Sequence, residues 1–219
     1  MPHPDAKLFA PCAEAAALLL PHAFTAKDDG AHDLAHLARV WRNVLSIQAI
    51  EGGDLRLLIA ATVLHDCVAI EKDSPLRGQA SRLAATKATE ILRTAGWPGP
   101  QIDQIAHAIE AHSFSARVTP ESIEAKVLQD ADRLDALGWV GVARCFYIAG
   151  RLGSQLYDPH DPGAANRPLD DARYALDHFE TKLLRLSTGL QTATGRAIAQ
   201  DRHATVLSVR DAVLSEVGA

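Results

Sequence analysis

Apolar residues recur at three- and four-residue intervals along nearly the whole chain, as in Leu57, Leu58, Ala61 and Leu64. That is the period of a helix with one face on a core, and the strict alternation of a half-buried strand is nearly absent. The pattern predicts an all-α fold with helices near residues 5–23, 31–51, 54–69, 79–96, 99–113, 120–135, 136–150, 171–186 and 190–216. Breakers mark the cuts. Gly52-Gly53 ends one helix and Asp54 caps the next, Gly96-Trp97-Pro98-Gly99-Pro100 forces a loop, and Thr119-Pro120 reads as an N-cap followed by proline at the first helical position.

Residues 151–170 are rich in glycine and proline and poor in periodic apolar positions, so they form the one long loop, a candidate lid. No linker-like shift precedes residue 171. The expectation is therefore a single domain over 1–219, with a core of about 25–150 and C-terminal helices over 171–216 packed back as a hairpin. The apolar stretch from Ala13 to Leu20 follows no basic segment and precedes no small-residue cleavage site, so it reads as a core helix rather than a leader. No run approaches the roughly 18 consecutive apolar residues that a membrane span requires.

Composition narrows the partners. With 219 residues, 47% of them hydrophobic, the chain can bury a large core without staples. A formal net charge of −5 argues against a surface that neutralises nucleic-acid phosphates, and 5% aromatics offers no platform for stacking bases. A small ligand fits better, with neither nucleic acid nor membrane as partner. Cys12, Cys67 and Cys145 are odd in number and scattered, which fits reduced thiols in a cytoplasmic protein.

Three segments carry chemistry. One predicted helix contains His32 and His36, the next ends in His65-Asp66, and a third holds Asp130, Asp132 and Asp135 in an apolar setting where unpaired acids are costly. Arg39 or Arg133 could pair these acids without any metal. Three helices offering nitrogen and oxygen donors to one bundle interior equally describe a metal site. Asp130 points away from Asp132, whereas Asp132 and Asp135 share a helix side. His32 lies one turn before His36 and reads as a solvated or hydrogen-bonded histidine.

The ordered set His36-x-x-Arg39-Val40, Leu64-His65-Asp66 and Ala131-Asp132-Arg133-Leu134 resembles the HD superfamily of phosphohydrolases, whose signature is H…HD…D across a helical bundle. The resemblance covers most of the chain. It is closest to small single-domain bacterial HD proteins, through Gln129 to Ala136, Gly141 to Arg144, Lys72-x-Ser74-Pro75-x-Arg77 and His178-Phe179-x-x-Lys182-Leu183-Leu184. It implies a compact HD-domain bundle and one divalent ion, Mn, Fe, Ni, Zn, Co or Mg, held by His36, His65, Asp66 and Asp132.

It also implies hydrolysis of a nucleotide or related small phosphorylated compound by a metal-activated water that Asp66 orients. Lys72 and His112 are candidates to neutralise or protonate the leaving phosphate, Arg77 to bind it, and Asp135 to orient the ligands. The expected reaction is cleavage of a nucleoside triphosphate to monophosphate and pyrophosphate, or nucleotidase action on a monophosphate; a cyclic-nucleotide phosphodiesterase comes third. Histidines near 107 and 112 hold a second ion in two-metal relatives, and that match is incomplete here. The competing readings are a metal-binding regulatory HD module with little turnover and a di-iron oxygenase of the same superfamily.

Overall fold

A computed structural model describes residues 3–24, 33–68, 70, 76–113 and 116–218, the Arg77 side chain excepted. Among them there is no strand, only one isolated bridge between Gln155 and Tyr174, and the all-α expectation holds. Chain contacts group into two compact units that divide between Asp132 and Arg133. No helix of the described residues is long and apolar enough to cross a membrane.

In the first unit, α1 (Ala13–Leu19), α2 (Leu34–Glu51), α4 (Ala80–Thr94) and α5 (Gly99–His112) surround α3 (Leu55–Leu64). Helix α3 is LRLLIAATVL, and from Leu57 onward it is apolar on every face but for Thr62, so that stretch must lie inside. Its residues from Leu57 to Leu64 are all buried. Asp33 caps α2 by accepting the His36 amide at 2.8 Å, and Asp54 caps α3 by accepting the Arg56 amide at 2.7 Å. The Asp54 amide in turn donates to Glu124 at 2.9 Å, which ties the start of α3 to α6 (Ile123–Asp135).

Four predicted boundaries move, the first being the cap read at Thr119-Pro120: α6 starts at Ile123 instead, where the Ser122 hydroxyl accepts the Ala125 amide at 3.1 Å. The single helix expected over 5–23 is broken into a 3-10 segment Pro4–Phe9, the short α1 and a second 3-10 turn Leu20–His22, because Pro11 and Pro21 cannot continue a helical ladder. The helix expected to reach residue 69 ends at Leu64, so His65 and Asp66 stand on a turn. The helix expected over 171–186 begins at Ala175 as α8 (Ala175–His178), passes through a π-turn at Phe179–Leu183 and ends in α9 (Leu184–Leu186).

In the second unit, α7 (Gly138–Leu152) packs on α8 and on α10 (Ala193–Glu216). Gly138 opens α7 at φ 70°, a conformation that a side chain would strain, and a Cβ on Gly141 would collide with the Ala136 carbonyl. Arginines close the end of α6. Arg133 donates to the Gly189 carbonyl at 2.5 Å and Arg202 to the Leu134 carbonyl at 2.6 Å.

The loop expected to be a lid is pinned within this unit. Arg167 grips Asp177 with two hydrogen bonds of 2.5 and 2.8 Å, reaches Asp158 at 3.3 Å and stacks on Tyr174 at 4.5 Å.

Candidate metal centre

The turn after α3 fixes the doublet. The His65 Nδ1–H donates to the Thr62 carbonyl at 2.8 Å, and because a carbonyl only accepts, the proton is on Nδ1 and Nε2 is left to face the site. The Cys67 amide closes the turn on the Leu64 carbonyl at 3.2 Å, and Lys87 donates to the Cys67 carbonyl at 2.7 Å. His36 and His65 are completely buried, and their Nε2 atoms lie 3.3 Å apart.

Two carboxylates meet these nitrogens. Asp66 Oδ2 lies 3.4 Å from His65 Nε2 and 3.8 Å from His36 Nε2, and Asp132 Oδ1 lies 3.9 and 3.7 Å from the same atoms. His36, His65 and Asp66 offer donor atoms that all fall within 4.8 Å of one another. Edges of this length belong to a polyhedron whose centre is about 2.0–2.3 Å from each corner, the span of nitrogen and oxygen ligands on a divalent ion. Two buried imidazole lone pairs face two partly exposed carboxylate oxygens, and such a donor set is stable only around positive charge. His36, His65 and Asp66, the three donors that lie mutually within 4.8 Å, fit a divalent metal.

Without an ion, a proton takes that place. Burial, the largest influence, pushes the His65 pKa down, but the Asp66 charge and hydrogen bond, the Asp132 charge and the Thr62 carbonyl outweigh it and hold it up at about 9. Burial pushes Asp132 up, and the facing His65, His112 and His36 rings together hold it below its ordinary range.

His112, at the end of α5, is the neighbouring group. Its Nδ1–H donates to the Ile109 carbonyl at 2.6 Å, so Nε2 faces Asp66 Oδ1 at 3.6 Å, and its ring meets His65 edge-on with centroids 4.8 Å apart. Asp66 thus turns one oxygen to the buried pair and the other to His112. His107 is occupied elsewhere: its Nε2 accepts the Glu121 amide at 3.0 Å.

Asp135 is buried and ion-paired with Arg144 at 2.5 Å, one turn beyond Asp132 along α6. His32 and Lys72 lie outside the described residues, as does the Arg77 side chain.

Sequence reasoning missed the side chains that brace these ligands. Asn43 donates to the Ala131 carbonyl beside Asp132 at 2.9 Å, and Gln129 donates to the Ala111 carbonyl beside His112 at 2.6 Å. The signal for Asn43 was present: it stands between Val40 and Ile47 on the buried stripe of α2. Lys87 gave no such signal. Replacing Asn43 with Ala strips a hydrogen bond from a buried carbonyl, so the unfolding midpoint in urea should fall by the equivalent of about 1–3 kcal/mol. An unchanged midpoint would show that the bond braces nothing.

The HD domain family matches residues 33–137, the stretch that carries His36, His65, Asp66 and Asp132. YpgQ of Bacillus subtilis is 34% identical over 180 residues, 80% of each chain. The chain belongs to the HD-domain family. Its fold also matches a crystal structure of B. subtilis YpgQ in complex with ADP, at TM-score 0.71 and 29% identity over 98% of this chain and 97% of that one. A crystal structure of an HD-superfamily hydrolase from Bacillus thuringiensis matches at TM-score 0.66 and 29% identity, again over 98% and 97%.

Proposed function

We propose that the protein is a metal-dependent phosphohydrolase of nucleotides, with His36, His65, Asp66 and Asp132 as ligands of one divalent ion. The observation that carries this reading is the convergence of two buried imidazole nitrogens and two carboxylates, with edges of 3.3–3.9 Å. The ADP complex of the B. subtilis relative supports a nucleotide substrate, and the candidate reactions are cleavage of a nucleoside triphosphate to monophosphate and pyrophosphate or nucleotidase action on a monophosphate.

A bound divalent ion supplies a Lewis acid for a phosphoryl oxygen and lowers the pKa of water. The chain supplies position and proton control. Asp66 accepts a hydrogen bond from the attacking water and sets its direction toward phosphorus. His112, with Nδ1–H committed to the Ile109 carbonyl, presents Nε2 to the phosphate or its leaving oxygen. Lys72 and Arg77 meet the remaining phosphate charge. Asp135, locked to Arg144, fixes the end of the helix that carries Asp132.

The test is release of phosphate and pyrophosphate from nucleoside mono-, di- and triphosphates by protein loaded with Mn²⁺, Fe²⁺, Co²⁺, Ni²⁺, Zn²⁺ or Mg²⁺. Turnover that a chelator abolishes is expected, with about one ion per chain by elemental analysis. Protein that carries the ion and releases nothing from any of these compounds contradicts the enzyme and leaves a regulatory module. Two irons per chain with visible absorption would point to the oxygenase.

A further inference from the structure

Helix α4 grips the turn that carries the doublet at two points. The Cys67 thiol donates to the Ala84 carbonyl at 3.6 Å, and the Lys87 ammonium donates to the Cys67 carbonyl at 2.7 Å. Ala84 and Lys87 are three residues apart on one side of α4, so a single stretch of that helix holds Cys67 by its side chain and by its backbone. Cys67 is fully buried, and its amide closes on the Leu64 carbonyl at 3.2 Å. Its amide, thiol and carbonyl are all committed.

This residue is the downstream anchor of Asp66. Upstream, the His65 ring is tied to the Thr62 carbonyl at 2.8 Å, so Asp66 stands between two fixed neighbours that set the direction of its carboxylate. That direction matters because the two oxygens have different targets. One lies 3.4 Å from His65 Nε2 and the other 3.6 Å from His112 Nε2, and a rotation that shortens one contact lengthens the other.

A lysine drawn partly into a protein is ordinarily paired with a carboxylate. Among the described residues, half-buried Lys87 instead meets the neutral Cys67 carbonyl and pairs with no carboxylate. A charged donor makes the stronger kind of hydrogen bond, which suits a brace. The plainer role is a cap for the carbonyl end of α3, which would contribute to stability alone.

We propose that Lys87 is a positioning residue of the metal centre: by holding the Cys67 carbonyl, it keeps the Asp66 carboxylate aimed at once at the ion and at His112. The inference rests on the reading of His36, His65, Asp66 and Asp132 as ion ligands. Its sign separates it from a charge effect. An ammonium near a cation site repels the ion, so loss of the charge alone would tighten ion binding, whereas loss of a brace loosens it.

Calorimetric titration of the ion-free full chain with Mn²⁺ reads that sign, and urea melts of the ion-free protein read the fold. Lys87→Met keeps most of the apolar stem and removes the donor; it should weaken Mn²⁺ binding about tenfold, the lower end of the roughly 10–100-fold that loss of a group supporting metal ligands costs. Lys87→Arg, which keeps a charged donor, should recover most of that loss. With Mn²⁺ saturating, Lys87→Met should also lower kcat about tenfold at unchanged KM, because the brace aims the group that orients water and binds no phosphate. Arg82→Met breaks an exposed ion pair with Glu110 from the same helix and should leave Mn²⁺ affinity as it is. If Lys87→Met does not fold, Lys87→Gln, polar but uncharged and one atom shorter, takes its place with the same expected loss. Binding of Mn²⁺ by the folded variant as tightly as by wild type, or more tightly, overturns the positioning role, and a lowered urea midpoint beside it leaves a helix cap only. Wild-type chain that takes up no Mn²⁺ rejects the metal centre itself, and this role with it.

Discussion

Replacing Asp66 with Ala should remove phosphate hydrolysis, by roughly a thousandfold or more in kcat, while the helical circular dichroism of the chain is retained. Groups that merely support metal ligands cost roughly 10–100-fold when removed, and Asp66 does more than they do. One of its oxygens lies 3.4 Å from His65 Nε2, and the other lies 3.6 Å from His112 Nε2. The variant therefore loses a donor to the ion, the acceptor that aims the water, and the contact facing His112. Its fold should survive, because the carboxylate is one-third exposed and stands on a turn after α3 rather than in the apolar core.

Lys72→Ala is the internal comparison. It removes only charge offered to the substrate, so it should raise KM or slow turnover by about tenfold while ion content is unchanged. Both variants must be assayed with the ion saturating, since a lost ion also removes the stability it contributes. Full activity in folded Asp66→Ala protein is the result that rejects the mechanism.

The helices were legible because burial imposes its period on the sequence, although the one apolar face read for α3 from Leu57, Leu58, Ala61 and Leu64 understated a helix that is buried all round from Leu57 to Leu64. What escaped was whatever depends on partners remote along the chain or on backbone detail. Helical spacing put Asp132 and Asp135 on one side of their helix, yet it could not say that Arg144, nine residues on, takes the Asp135 carboxylate. The loop after α7 looked free because its composition lacks apolar periodicity. Its order comes instead from Arg167 and Asp177, a pair that no local pattern links.

The turn that lifts His65 and Asp66 off α3 was likewise hidden. Apolar periodicity carries through Leu64, and the stop is made by hydrogen bonds from the His65 ring to the Thr62 carbonyl and from the Cys67 amide to the Leu64 carbonyl. The π-turn at Phe179–Leu183 left no mark in the pattern either, since a single widened turn barely disturbs which residues face the core.

Ion binding should release about one proton per chain at pH 7, and the apparent affinity should rise about tenfold per pH unit from pH 6.5 toward 9. The reason is that His65 holds a proton up to about 9 in the ion-free protein, where Asp66 and Asp132 face it, and an ion can use its Nε2 lone pair only after that proton has left.

The same shift fixes the sign for stability. The folded value lies above the ordinary 6.5, so the stabilisation from protonated His65 is complete below about pH 6.5 and is lost as pH rises through about 9. A shift of this size corresponds to on the order of 3 kcal/mol. Asp132 works in the opposite sense: its lowered value stabilises the fold above its ordinary 3.8 and is lost as pH falls through the lowered value. Ion-free protein should therefore be most stable between about pH 4 and 6.5, and ion-loaded protein should keep its stability up to about pH 9, because the ion replaces the departing proton. Calorimetric titration in buffers of different ionisation enthalpy counts the released protons, and urea melts with and without the ion trace the two stability curves. Affinity that is flat from pH 6.5 to 9, with no proton released, would mean that the ion is not held by the His65 nitrogen.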